Sequence, residues 1–229
     1  MNVEDLRLRQ LDQLREAARI LLKPMERLPF PVVIEAMTGR QVLPMLNRPA
    51  DKALLKNLAR ACMTIVADAR RDAYEANRPN DVSTQVERKL EVALRNFGIR
   101  VERPKAERGR SPGGYPDRLI WYENEPTYLE VKVSREQNIS EGSARNFFYQ
   151  PTPNGKILLD ARHLLVGFAI RETTEKRWTL TGWKIVDLWH LRVKLKPEYN
   201  ANNLEIYRDE AILMEGDARR IIRQKPLGG

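Results

Sequence analysis

With 229 residues and a mass of 26.6 kDa, the chain is long enough to bury a core of its own without metals or disulfides. Apolar residues at 42% and charged residues at 31% exclude a largely disordered protein, and a single cysteine, Cys62, with only His163 and His190, excludes an internal disulfide and an ordinary zinc site. Forty Lys and Arg against 31 Asp and Glu leave a net charge of +9, which suits a polyanionic partner whose counterions are released on binding. No apolar run approaches the roughly 20 residues that span a bilayer, and Met1-Asn2-Val3-Glu4-Asp5 has neither the basic nor the apolar part of a signal peptide. A cytoplasmic protein with no membrane partner is expected.

From Val3 to about Lys23, Leu6, Leu11, Leu14, Ala18, Leu21 and Leu22 recur near helical spacing and predict an amphipathic helix that stops at Pro24. Pro29 and Pro31 open a short helix through Met37 with Gly39 as its cap, and Gln41-Val42-Leu43-Pro44 reads as extended. A longer helix is predicted from Ala50 to Asn77, burying Leu54, Leu55, Leu58, Ala61, Cys62, Ile65, Val66 and Ala69, and broken by Arg78-Pro79-Asn80-Asp81. One more runs from Thr84 to Phe97 and closes at Gly98. Strands follow at Asp117–Tyr122, Thr127–Val133, His163–Ile170 and Trp178–Val186, with a weaker one at Leu204–Tyr207. The expected class is α/β, with a small mixed central sheet flanked by helices. Residues 1–78 form an N-terminal helical region, suited to dimerisation or DNA contact, and 79–229 a core with a C-terminal extension.

The chemistry concentrates in one stretch. Tyr115-Pro116-Asp117-Arg118-Leu119-Ile120-Trp121-Tyr122 and Thr127-Tyr128-Leu129-Glu130-Val131-Lys132-Val133 are two strand-forming runs around the polar turn Glu123-Asn124-Glu125-Pro126, which describes a hairpin. Along the second strand Glu130 and Lys132 share one face while Leu129, Val131 and Val133 take the apolar one. If the hairpin folds about Asn124, Asp117 lies across from Lys132 or one position away, and its carboxylate converges with Glu130. Two carboxylates held close repel, and a hard divalent cation such as Mg2+ relieves that repulsion. With phosphate oxygens and water as its remaining ligands and a lysine nearby, such a site implies phosphodiester hydrolysis.

Pro116-Asp117 followed by Glu130-Val131-Lys132 resembles the signature of the PD-(D/E)xK nucleases, so a restriction-endonuclease-like core is implied. The resemblance assigns Asp117 and Glu130 to the metal and Lys132 to catalysis. The family often adds an acid from the upstream helix. On a wheel whose buried face is Val86, Leu90, Ala93, Leu94 and Phe97, Glu87 lies about 75° from the centre and Glu91 about 115°. Glu87 is the better candidate, although Thr84-Gln85-Val86-Glu87 also fits a capping box in which the glutamate only binds a backbone N–H.

Size, basicity, the absence of a GxxxxGK[S/T] nucleotide loop and the polar segment after Lys132 are together similar to type II restriction endonucleases. That resemblance implies a Mg2+-dependent homodimer cutting specific double-stranded DNA with no nucleotide cofactor. Arg103, Lys105, Arg108 and Arg110, in the basic loop before Asp117, are candidates for phosphate contacts. Arg135, Gln137, Asn138, Arg145 and Asn146 are candidates for contacts to base edges. The same core also serves DNA repair and modification-dependent endonucleases, and a DNA-binding protein without cleavage activity is a further alternative.

Overall fold

The computed structural model describes residues 3–106, 114–138, 155–195, 202–212, 214–217 and 220–224. Helix α1 (Val3–Leu21) leads to strand β1 (Met25–Pro29), helix α2 (Phe30–Thr38), strand β2 (Val42–Leu43), helix α3 (Pro49–Arg71), strand β3 (Tyr74–Glu75) and helix α4 (Pro79–Asn96). Strands β4 (Arg100–Glu102), β5 (Arg118–Tyr122), β6 (Glu125–Arg135), β7 (Ala161–Thr174), β8 (Arg177–Asp187) and β9 (Arg192–Leu195) follow. Short helix α5 (Asn203–Ile206) and strands β10 (Met214–Asp217) and β11 (Arg220–Gln224) come last. No helix among the described residues is long and apolar enough to cross a membrane.

Residues 26–193 form one compact unit, and residues 1–25 with 194–229 form another. The boundary drawn from sequence at 78/79 lies within the larger unit. In the smaller one α1 is exposed from Arg9 to Ile20, and β10 and β11 pair antiparallel.

The larger unit is a mixed α/β structure around a seven-stranded sheet ordered β3-β8-β7-β6-β5-β4, with β2 added in parallel to the start of β7. Strands β6 and β7 are parallel, and the remaining pairs along the path are antiparallel. One face is covered by α3 and α4, whose Leu58, Ile65, Val86 and Leu94 pack against Ile120, Leu129, Val131 and Val166. The other face buries Leu119 and Tyr128 with Phe30 and Ile34 of α2 and with Tyr115. Helix α2 ends as expected, with Gly39 in the left-handed region and its N–H returned to Glu35.

Three predicted elements are shifted or replaced, and strands β1, β3, β4, β9, β10 and β11 are not among those predicted from sequence. Helix α3 ends at Arg71 rather than Asn77, because Tyr74 and Glu75 pair with Trp178 and Arg177 and the Trp178 Nε1–H donates to the Ala76 carbonyl at 3.0 Å. Helix α4 starts at Pro79, five residues before Thr84: Pro79 opens the first turn, where its missing N–H costs nothing. The weak strand at Leu204–Tyr207 is replaced by α5, whose first turn is capped by the Asn202 side chain accepting the Glu205 N–H at 3.0 Å.

Candidate active site

The hairpin is real and its register differs by a step from the expected one. Tyr122 pairs with Glu125, so the turn is the two residues Glu123 and Asn124, both at positive φ. Arg118 therefore pairs with Leu129, which carries Asp117 toward Glu130 instead of Lys132. Strand β5 begins only at Arg118, leaving the Val131 N–H without a ladder partner on that side. The Asp117 carboxylate takes its place, accepting that N–H at 2.8 Å.

Glu130 is only 2% exposed. Its Oε1 pairs with the Lys132 ammonium at 2.5 Å, while its Oε2 is buried with no hydrogen-bond partner among the described residues. Burial, and then the neighbouring Asp117 charge, push the Glu130 carboxyl up to about 7 even though Lys132 works in the opposite direction. An unpartnered buried carboxylate oxygen beside a second carboxylate is the donor set that a hard divalent cation satisfies. Among the described residues no group of three or more His, Cys, Asp or Glu that could hold a metal ion is found.

Glu87 lies across from this pair on α4. Its Oε2 is 3.5 Å from Nη2 of Arg118, and its Oε1 accepts from Ser83 Oγ at 3.5 Å. Burial and the charge of Asp117 raise its carboxyl, countered by Arg118 and Ser83. The capping-box alternative is removed, because Thr84 stands inside α4 rather than before it. Arg118 is itself buried on the helix side of the sheet, donating through Nε to Glu91 at 3.2 Å and through Nη1 to the Asp117 carbonyl at 2.8 Å.

Of these residues Glu87, Asp117 and Arg118 line a cleft of about 450 Å³, together with Thr84, Arg88, Arg103, Pro104, Lys105, Gly114 and Lys156. Two carboxylates thus stand among five cations. Arg103 and Lys105 are exposed on its wall. Arg108, Arg110, Arg145 and Asn146 lie outside the described residues. Gln137 is exposed in a short 3-10 turn, Glu136–Asn138, that follows β6. Arg135 is on the opposite sheet face from Lys132, its guanidinium 5.2 Å from the centre of the Trp178 ring.

The sequence reading missed Arg118 and Lys156. The Lys156 ammonium donates to the carbonyl of Gly114 and, at 2.6 Å, to that of Pro116. Burial draws it below the ordinary lysine value, against the pull of Asp117 and Glu130. His163, by contrast, is fully buried beside Tyr128 and shares a hydrogen bond with Tyr115. Burial lowers it to about 3, so it is a neutral core residue.

A family model for the MjaV type II restriction enzymes matches residues 24–210 of this chain. The chain belongs to the MjaV family of type II restriction enzymes. Within that family it is similar to the type II restriction enzyme MjaV of Methanocaldococcus jannaschii, with 30% identity over 226 residues that cover 91% of this chain and 97% of the relative. The MjaV family match takes in Asp117, Glu130, Lys132, Glu87 and Lys156 together with the whole of the seven-stranded sheet.

Proposed function

We propose that the chain is a site-specific endodeoxyribonuclease of the PD-(D/E)xK type with a restriction-endonuclease-like core. In this reading it hydrolyses phosphodiester bonds in double-stranded DNA, depends on Mg2+ and uses no nucleotide cofactor. The observation that carries the reading is the buried Oε2 of Glu130, without a hydrogen-bond partner among the described residues, beside Lys132 and beside Asp117, which itself lines a cationic cleft. Membership of a type II restriction enzyme family supports the same substrate.

Asp117 and Glu130 would hold the metal, with Glu87 as an additional acid on the cleft wall. Bound Mg2+ supplies Lewis acidity to the phosphate and lowers the pKa of an attacking water. Lys132 orients that water and offsets charge at the phosphorus. Arg103 and Lys105 receive flanking phosphates, along with Arg108 and Arg110, while Gln137, Asn138, Arg145, Asn146 and Arg135 are assigned to bases. One such site cuts one strand, so a double-strand break at a symmetric sequence needs two copies, and a homodimer follows from that requirement.

The test is to digest a phage genome with the purified protein and Mg2+, sequence the ends, and weigh the protein–DNA complex by light scattering. Discrete fragments sharing one motif, from a dimer, are the expected result. Random ends would make the protein a nonspecific nuclease, nicks from a monomer a repair enzyme, and intact DNA with retained binding a module without cleavage.

A further inference from the structure

We propose that Lys156 is a second active-site lysine, which contacts a DNA phosphate on the cleft floor while holding the loop that carries Asp117. The inference deepens the nuclease reading and rests on it.

Lys156 stands in the irregular segment before β7, some forty residues from Asp117 in sequence, and is anchored there by the three residues that follow it. Ile157 beside it is buried with Tyr115 and Tyr128, and the Tyr128 hydroxyl accepts the N–H groups of Leu158 and Leu159 at 2.8 and 3.3 Å. Its ammonium therefore arrives at a fixed point. It uses two of its three N–H donors on the carbonyls of Gly114 and Pro116, the residues on either side of Tyr115 and directly ahead of Asp117.

The carbonyls are neutral, and although Asp117 and Glu130 lie near enough to favour its charge, neither contacts it. Among the described residues no carboxylate forms an ion pair with Lys156, whereas Lys132 is paired with Glu130 and Arg118 with Glu87 and Glu91. Lys156 also lines the cleft beside Asp117. A half-buried ammonium with one donor unspent, no ion pair among the described residues and a cleft in front of it has the chemistry of a phosphate ligand. Contact with DNA would at the same time fix the 114–117 loop, so backbone binding and placement of the metal-binding acid become one event.

The experiment compares the wild type with K156M, K156Q, K156R and the reference variant D117N. Affinity for a short labelled random-sequence duplex is measured in EDTA over a salt series, and single-turnover cleavage is measured in Mg2+ at saturating enzyme. Cleavage by wild type and its loss in D117N establish the nuclease reading independently of Lys156. K156M and K156Q should then lower the cleavage rate by about 10²-fold and make the salt dependence of binding shallower by about 0.9 in log–log slope. K156R should restore the slope and leave the rate depressed, because a planar guanidinium cannot take the tetrahedral place between two carbonyls. A salt slope unchanged in K156M and K156Q would overturn the proposal, whatever happened to the rate, since a purely structural lysine contributes nothing to counterion release. Should K156M not fold, K156Q and K156R carry the same comparison.

Discussion

The Asp117 carboxylate accepts the Val131 backbone N–H at 2.8 Å, so the acid ahead of β5 is fastened to the strand that bears Glu130 and Lys132. One oxygen closes the ladder. Chemistry and strand pairing at this position can therefore be separated by substitution. Asn keeps an acceptor for the N–H and loses the charge, while Ala loses both. D117N and D117A should each reduce cleavage by roughly 10³-fold or more, the scale of losing a metal ligand. Only D117A should also be less stable, by about 1–3 kcal/mol for a buried N–H left unsatisfied. Urea unfolding of the metal-free proteins checks the second half.

Glu130 makes a different kind of prediction, because its burial works against folding. Its carboxyl rises from 4.5 to about 7 in the native state. Between those values the folded chain holds a proton that the unfolded chain has released, so metal-free stability falls as pH rises through this window and levels off above it. E130Q removes the titrating group. At pH 8 it should exceed the metal-free wild type in stability by on the order of 2–3 kcal/mol, and the two should coincide below about pH 4.5. Mg2+ should raise the Tm of the wild type and leave E130Q unmoved, and EDTA should abolish wild-type cleavage. An E130Q protein less stable than wild type at pH 8 would contradict this account of the site.

A second polar cluster holds the frame and not the chemistry. Arg162, 3% exposed, donates to Asp51 at the start of α3 and, at 2.5 Å, to Glu125 at the start of β6. Arg48 bridges the same two carboxylates from outside, at 2.9 Å and 2.8 Å. Burial alone would raise the Asp51 carboxyl, yet the hydrogen bonds from Arg48 and the charge of Arg162 hold it below the usual range. Removing one partner strands a buried charge. R162A and D51A should each cost about 3–5 kcal/mol, whereas R48A, at an exposed position, should cost less than about 1 kcal/mol. Denaturant titrations of the three variants give the ranking.

The parts of this molecule legible in sequence are those whose information is local. The apolar faces of α3 and α4, the Gly39 cap and the pair Glu130 and Lys132 on one side of a strand follow from periods of 3.6 and 2. Helix α4's early start was legible in principle through Pro79, which reads equally as the end of one helix and the first turn of the next. The Asp117 register was missed by assuming a turn centred on Asn124, when Glu123 shares it. Partners far apart in sequence leave no local trace: Arg162 meets Asp51 across 111 positions, and Lys156 reaches Gly114 across 42. Neither contact has a periodicity to betray it.

Affinity and sequence reading should come apart at the cleft. Arg103 and Lys105 are exposed on its wall, where contacts to phosphate carry no sequence information. R103A and K105A should weaken binding to a cognate and to a scrambled duplex by the same factor, each flattening the salt dependence by about 0.9 in log–log slope. Gln137, exposed in the turn beyond β6, is assigned to bases in the proposed reading. Q137A should narrow the gap between cognate and scrambled binding by about 1–3 kcal/mol and leave the slope unchanged. Arg135 is the deciding case, since its guanidinium rests over Trp178 on the face opposite Lys132. If it leaves that ring to read a base, R135A narrows discrimination as Q137A does. If it stays, R135A loses a cation–π contact of about 0.5–1 kcal/mol in stability while discrimination is untouched, and Arg135 leaves the base-reading set. Binding isotherms on the two duplexes, measured in EDTA across a salt series beside a thermal melt of each variant, distinguish these outcomes.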